Sequence, residues 1–360
     1  MTPLRIVIAG GGTGGHLYPG IAVARELLRR RPDAQVSFAG TAGGIEARVV
    51  PREGLALDLL RSAGLKGKSQ LSFLRGLSLL PLSAVDAWRI VSARSPHVVI
   101  GVGGYSSGPV VMIAALRRIP TLLLEQNAVP GLTNRLLARV VDEAAVTFET
   151  SRAYFGRRAR VTGNPVRPEF FQAAVRPEGG PPRVLIFGGS QGAHAINMAM
   201  VEAAARLAAH PGGLAITHQT GERDLEGVRE GYRRAGVEAR VEPFLYSMDR
   251  EMKAADLVIC RAGATTIAEL TASGRPALLI PLPTATDDHQ RRNAAVLAAA
   301  GAAELLDQRD LTGAVLAERV IALTGDRTRL ESMSQAARGL ARPDAARAIV
   351  DRVLALAGGR

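Results

Sequence analysis

Cysteine is almost absent. Cys260 is the only one in 360 residues, which excludes an intrachain disulfide and a cysteine-built zinc site and suits a reducing compartment. Aromatic residues make up only 4%, too few to favour a platform on which single-stranded nucleic acid stacks. Long apolar runs are missing too. Charge-free apolar stretches such as Gly76 to Val85 fall far short of the roughly 20 residues of a spanning helix. The chain enters a strand at Leu4, so no signal peptide is expected ahead of it and the protein is expected to be soluble or peripheral. Acidic residues are in deficit, 33 against 45 basic, for a net charge of +12. Such an excess suits a polyanionic partner: nucleic acid, an anionic membrane surface or phosphorylated substrates. The Walker pattern for nucleotide phosphates is absent, as is any Asp-x-Asp pair of the kind that holds a metal on a nucleotide diphosphate.

Glycine, in contrast, is plentiful and concentrated at strand ends. Leu4–Ala9 reads as a buried strand, and Gly10-Gly11-Gly12-Thr13-Gly14-Gly15-His16 follows it. Ile21 to Leu28 then has its apolar residues at helical spacing. Strand, glycine loop and helix form the first unit of a doubly wound α/β domain, with backbone N–H groups aimed at an anion, usually a phosphate. Gly10, Gly12 and Gly15 satisfy the dinucleotide spacing. A dinucleotide site also needs an acid at the end of the second strand, about 20 residues on. The second strand, Gln35–Ala39, runs instead into Gly40-Thr41-Ala42, which argues against a nicotinamide cofactor. His16 stands where loop meets helix, and a near-neutral imidazole there is a candidate general base.

The pattern recurs. His97–Ile100 is a strand leading into Gly101-Val102-Gly103-Gly104-Tyr105 and a helix from Pro109 to Leu116. Thr121–Leu124 ends in Glu125-Gln126-Asn127, polar groups where α/β folds place ligands. Arg160–Pro168 reads as a linker. Arg183–Phe187 then restarts the motif with Gly188-Gly189-Ser190-Gln191-Gly192-Ala193 and a helix from Ile196 to Leu207. Asp256–Arg261 is a further strand ending in Ala262-Gly263-Ala264-Thr265-Thr266, with a helix from Ile267 and Glu269 in its first turn. Length and 47% hydrophobic content allow two domains with their own cores. The expected division is 1–160, 161–342 and a terminal helix within 343–360. Asp287-Asp288-His289 reads as a polar loop rather than a metal site. Between Arg61 and Trp88 the charges are all positive until Asp86, among bulky apolar residues. A basic and apolar surface segment of that kind is the usual pattern of an interfacial membrane patch.

In order and spacing, Gly11–His16, Gly101–Tyr105, Glu125–Asn127, Gly163–Arg167, Gly188–Ala193 and Cys260–Ala264 with Glu269 resemble the MurG family of bacterial N-acetylglucosaminyltransferases, over nearly the whole chain. The resemblance implies a GT-B fold, two Rossmann-like domains facing across a cleft, with the terminal helix returning to the first. It implies inverting transfer of N-acetylglucosamine from a UDP-N-acetylglucosamine donor to the muramoyl 4-hydroxyl of lipid I. No cofactor, metal or nucleic acid would be required, and the enzyme would be peripheral at the cytoplasmic face of the membrane. Ser190 and the helix start at Thr265 and Thr266 would meet the diphosphate, Glu269 the ribose and the Leu245 backbone the uracil, with Ile267 and Ala268 also among the substrate-binding positions. Asn127, Ala264 and Gln290 would contact the sugar, and Arg167 the donor. Thr13, Gly14, Gly15 and Tyr105 would line the site, with His16, or alternatively Glu125, as base. Leu71, Phe73, Leu74, Arg75 and Leu77 would dock on an anionic membrane surface. Leu124, Tyr246-Ser247 and His289 depart from the family pattern. An epimerase of UDP-N-acetylglucosamine, another GT-B glycolipid transferase and a nucleic-acid binder remain as alternatives.

Overall fold

The computed structural model describes residues 3–62, 79–172, 179–189 and 191–359. The chain divides into two compact units, Met1–Val166 with Arg342–Arg360, and Arg167–Ala341. Among the described residues each unit carries one parallel sheet. The first contains β1 (Arg5–Gly10), β2 (Gln35–Gly40), β3 (Ala56–Leu59), β4 (Val98–Gly103), β5 (Thr121–Glu125), β6 (Glu143–Val146) and β7 (Ala159–Val161), in the order β3-β2-β1-β4-β5-β6-β7. The second contains β8 (Arg183–Phe187), β9 (Ala215–Gln219), β10 (Ala239–Glu242), β11 (Leu257–Cys260), β12 (Ala277–Leu279) and β13 (Ala303–Leu305), in the order β10-β9-β8-β11-β12-β13. In both, the chain builds outward from its first strand, then crosses to that strand's other side. The switch lies between β1 and β4, and between β8 and β11. Ligands of doubly wound folds bind outside the carboxyl ends of the strands at such a point.

The strands form because their side chains alternate between two covered faces. On β1, Ile6 and Ile8 join Leu17, Ile21 and Leu27 on one side. Val7 and Ala9 join Val91, Val110 and Val111 on the other. A parallel sheet buried on both faces reads as a continuous apolar run for this reason. The first helix spans Gly14–Arg30 and buries Leu17, Ile21, Ala24 and Leu27 at helical spacing. It begins well before the Ile21 expected from periodicity, so His16 lies within its first turn.

The terminal helix, Ala345–Gly358, belongs to the first unit. Its Ile349, Val350 and Val353 lie in the core beside the helix Gly14–Arg30. Each such side chain contributes roughly 1.5–3 kcal/mol on full burial. Arg30 pairs with Asp351 at 2.6 Å and Arg352 with Glu143. The Arg30–Asp351 pair is solvent-exposed and adds at most about 1 kcal/mol, while Glu143 is buried and Arg352 ties the helix to β6; apolar burial supplies most of what holds the helix.

Candidate functional site

In the first unit the β1 and β4 loops meet backbone to backbone. A side chain on Gly10 would collide with the Gly103 carbonyl, and one on Gly104 would stand 2.7 Å from the Gly11 carbonyl oxygen. Gly10, Gly11, Gly103 and Gly104 all have positive φ (137°, 150°, 94° and 79°), a region open to glycine and strained for other residues. The imidazole of His16 lies over Gly103: a β-carbon there would be 2.8 Å from its Cδ2 and 3.1 Å from its Nε2. Thr13, the residue capping the helix, places its Oγ1 3.2 Å from His16 Nδ1. The Tyr105 ring lies against Gly12, and Tyr18 against Gly14. Thr13, Gly14, Gly15, His16 and Tyr105 are therefore gathered around one backbone junction.

A residue that motif reasoning passed over holds this junction. Glu46 is fully buried. Its carboxylate accepts from the Gly12 N–H at 2.8 Å, the Thr41 N–H at 2.9 Å and Thr41 Oγ1 at 3.0 Å. Burial pushes its pKa up, but these hydrogen bonds outweigh burial and hold it below the ordinary glutamate value. Its one sequence signal was its place in the glycine turn after β2.

Glu125, at the end of β5, is buried and committed. It accepts from the N–H groups of Asn127 and Gly131 at 2.9 and 3.2 Å, and from Asn127 Nδ2 and Asn134 Nδ2 at 3.3 and 2.8 Å. Burial raises its pKa against these bonds. Asn127 is pinned by the same carboxylate.

The second unit holds a pocket of about 590 Å³ at the switch point between β8 and β11. Gly188, Gly192, His194, Gly263, Thr266 and Gln290 are among the residues that line it. Two helices start there, His194–Ala208 and Ala264–Ser273, and their N-terminal amides and dipoles favour an anion. The second helix starts at Ala264, earlier than expected, because Gly263 takes an extended capping conformation. Glu269 consequently lies in its second turn, not its first. Ile267 and Ala268 face the core, and the Ile267 N–H is bonded to Gly263 O at 2.9 Å. Gln290 Oε1 accepts from Leu282 N–H at 3.0 Å and Ala262 N–H at 3.3 Å, which fixes its side chain at the wall.

The loop after β8 is braced by the side-chain amides of Gln219 and Asn197, with the Asp224 carboxylate behind them accepting from Asn197 Nδ2 at 2.9 Å and lying 3.0 Å from His194 Nδ1. Gln219 Nε2 donates to Gly189 O, and Gln219 Oε1 accepts from Leu245 N–H, both at 2.9 Å. The Leu245 N–H is thus used internally. Asn197 Nδ2 donates to Thr220 O, and a side chain on Gly192 would collide with that carbonyl. Behind it, His218 bonds Asn197 Oδ1 through Nε2 at 3.0 Å and the Tyr232 hydroxyl through Nδ1 at 2.9 Å. Asn197 Oδ1 only accepts, so the proton is on Nε2. Burial pushes the His218 pKa down to about 3, which keeps it neutral. Burial also pushes Glu269 up, to about 7, with the Arg167 charge pulling the other way. Arg167 stacks on Phe170, its guanidinium 5.1 Å from the ring centroid.

Ser190 and the segment holding Leu71, Phe73, Leu74, Arg75 and Leu77 lie outside the described residues. Among those described, no group of three or more His, Cys, Asp or Glu is placed to hold a metal ion. Gly104-Tyr105-Ser106-Ser107-Gly108, which the sequence reading also passed over, has the spacing of a hydrolase nucleophile elbow. Ser106, however, is buried with ordinary helical φ and ψ of −75° and −22°, not on a strained, exposed turn.

Comparison with known proteins places this geometry. Residues 6–146 match the glycosyltransferase family 28 N-terminal domain and residues 183–349 the glycosyltransferase family 28 C-terminal domain. The UDP-N-acetylglucosamine–N-acetylmuramyl-(pentapeptide) pyrophosphoryl-undecaprenol N-acetylglucosamine transferase of Anaeromyxobacter sp. strain Fw109-5 is 50% identical over 351 residues, 97% of this chain and 92% of that protein. The transferase of the same name from Geobacter sulfurreducens is 46% identical over 358 residues, 98% of each. The crystal structure of Acinetobacter baumannii MurG superposes with a TM-score of 0.83 at 32% identity, covering 98% of this chain and 100% of that one. Two parallel-sheet, Rossmann-like units of this kind make the fold GT-B.

Gln219→Leu preserves size but strips the buried Leu245 N–H of its partner and removes one of the two donors to Gly189 O. It is expected to cost about 1–3 kcal/mol of stability, the penalty for stranding buried polar groups. Denaturant unfolding checks this, and a loss within about 0.5 kcal/mol, the range of neutral surface changes, would remove Gln219 as the brace.

Proposed function

The chain belongs to glycosyltransferase family 28, and on that premise we propose how its own residues perform the family's reaction. It transfers N-acetylglucosamine from UDP-N-acetylglucosamine to lipid I, forming lipid II in peptidoglycan synthesis. The observation that carries the reading is the pair of helix N-termini on one pocket at the switch point of β8 and β11.

The second unit binds the donor. Its diphosphate lies against the Gly188–Ala193 loop, including Ser190, and the helix starts at His194 and Ala264, with Thr265 and Thr266. The carboxylate of Glu269 accepts the ribose hydroxyls, with Arg167 beside it. Because Gln219 occupies the Leu245 N–H, the uracil is met at that turn by the Leu245 carbonyl, which accepts its N3–H. Gln290 and Ala264 contact the sugar.

The reaction is a direct displacement with inversion. The muramoyl 4-hydroxyl oxygen attacks the anomeric carbon, the bond to the diphosphate oxygen breaks, and the hydroxyl proton passes to a base. His16 suits that task better than Glu125, whose carboxylate is buried and already accepts from four donors. Thr13 Oγ1, 3.2 Å from His16 Nδ1, orients the ring for that transfer. Charge growing on the departing UDP is stabilised by loop N–H groups and helix ends aimed at it before reaction begins. No divalent metal is assigned to this step.

The acceptor carries a lipid, and the first unit offers a surface for the membrane. Helix Leu80–Arg94 exposes Leu82, Val85 and Trp88, and Leu116 is 71% exposed. Arg117 lies 4.9 Å from the Trp88 ring centroid, and Arg89 and Arg94 are exposed on the same helix. Apolar side chains with arginines among them suit an anionic interface. No helix among the described residues is long and apolar enough to cross a membrane.

Two measurements test the chemistry. Labelled-sugar transfer to a lipid I analogue should survive EDTA, and His16→Ala should slow it by about 10²-fold or more while UDP-N-acetylglucosamine binding is retained. Transfer by His16→Ala at nearly the normal rate removes His16 as base. Separately, donor affinity should rise by up to about tenfold from pH 6 to pH 8, since an acid of pKa near 7 offers both oxygens as acceptors to the two ribose hydroxyls only when ionised. Glu269→Gln should bind more weakly and flatten the profile. A pH-independent wild-type affinity contradicts the assignment of Glu269.

A further inference from the structure

In a Rossmann-like unit the N–H groups of the first glycine loop ordinarily face a ligand phosphate. Here the Gly12 N–H faces Glu46. The carboxylate is enclosed on every side that glycines leave open: side chains on Gly11, Gly40 or Gly44 would overlap its atoms. We propose that Glu46 is a built-in anion that fills the phosphate seat of the first glycine loop and, through that loop, positions His16. No phosphate of donor or acceptor binds at the Gly12 N–H. Glu46 never touches substrate and is a positioning residue.

The chain of contact is short. Glu46 fixes Gly12 and the β2 turn at Thr41. Gly12 leads directly to Thr13, which caps the helix and lies against His16 Nδ1. Gly11, which Glu46 packs against, meets Gly104 across the junction, and the neighbouring Gly103 carries the His16 ring. A carboxylate suits the position because both of its oxygens accept and neither donates, while all three partners offer hydrogens. Its low pKa follows from that donor set and keeps it ionised across the working range. The β2 region thus does supply an acid, but one turned inward onto the loop rather than outward onto a ribose.

The proposal rests on His16 being the base, and a double-mutant cycle separates the two. Glu46→Gln keeps the size but presents an NH₂ to N–H donors. Its kcat should fall about tenfold or more while its KM for UDP-N-acetylglucosamine stays within twofold, because the donor is bound by the other unit. Glu46→Asp, which keeps the charge, should retain more activity than Glu46→Gln. Glu46→Ala should regain part of its rate with added formate, a small carboxylate able to occupy the seat. Glu46→Gln combined with His16→Ala should be no slower than His16→Ala alone. Additive losses, a wild-type kcat in folded Glu46→Gln, or parallel loss of donor affinity would each overturn the proposal. Should Glu46→Gln not fold, Thr41→Val removes one of the three hydrogen bonds and should lower kcat selectively; an unchanged kcat there overturns it equally. A normal rate in His16→Ala removes the base reading itself, whereas a slow His16→Ala beside a normal Glu46→Gln removes only this inference.

Discussion

Backbone packed directly on backbone, with no side chain between, is the constraint on which both halves of this protein depend. In the first unit Gly10 and Gly11 meet Gly103 and Gly104 across the switch point. In the second, Gly192 meets the Thr220 carbonyl and Gly221 meets the carbonyl of Gln191. Such approach needs glycine twice over, for the positive φ and for the missing β-carbon. It brings the β1 and β4 loops, and the β8 and β9 loops, closer than any pair of side-chained residues allows. What stands beside each junction, His16 in one unit and the helix start at His194 in the other, inherits a position set by main chain.

The two units brace their loops in opposite ways, and the difference fits a division of labour. The first loop is held by a buried, ionised carboxylate that accepts from its N–H, so the anion is part of the protein. The second is held from behind by side-chain amides that donate to backbone carbonyls, one of them also donating to the Asp224 carboxylate. Gln219 takes Gly189 O, and Asn197, oriented by His218, takes Thr220 O. Bracing through carbonyls leaves the N–H groups of the loop and helix N-termini for a bound diphosphate. One motif, repeated in one chain, thus serves as a mount for a side chain in one half and as a receptor for charge in the other.

Much of this was legible because glycine-rich strand ends and β-branched runs are local signals. Every strand that positions a site residue could be placed from them, and the order of the motifs pointed to the family. Helix starts were less legible. Periodicity detects only apolar residues, and Gly14, Gly15, Ala264 and Thr265 open their helices without any large apolar side chain, which displaced His16 and Glu269 by a turn. Glu46 and Gln219 were illegible for another reason. Each acts on a loop distant from it in sequence, and nothing local distinguishes a glutamate that ends up fully buried from one on the surface. Glu125 was found by its place after β5, but its enclosure by Asn127, Gly131 and Asn134 depends on how the following turn folds back.

The central claim is that the glycine junction of the first unit exists to seat His16. Gly103→Ala tests it most directly, since the new methyl group would point at the imidazole ring from a backbone with φ of 94°. The measurement is transfer rate alongside UDP-N-acetylglucosamine affinity and a folding check on the same variant. The account predicts a folded protein that binds donor as well as the wild type and transfers sugar about tenfold or more slowly, the strain of a non-glycine residue there being about 1–3 kcal/mol. A folded Gly103→Ala that transfers at the wild-type rate would contradict it.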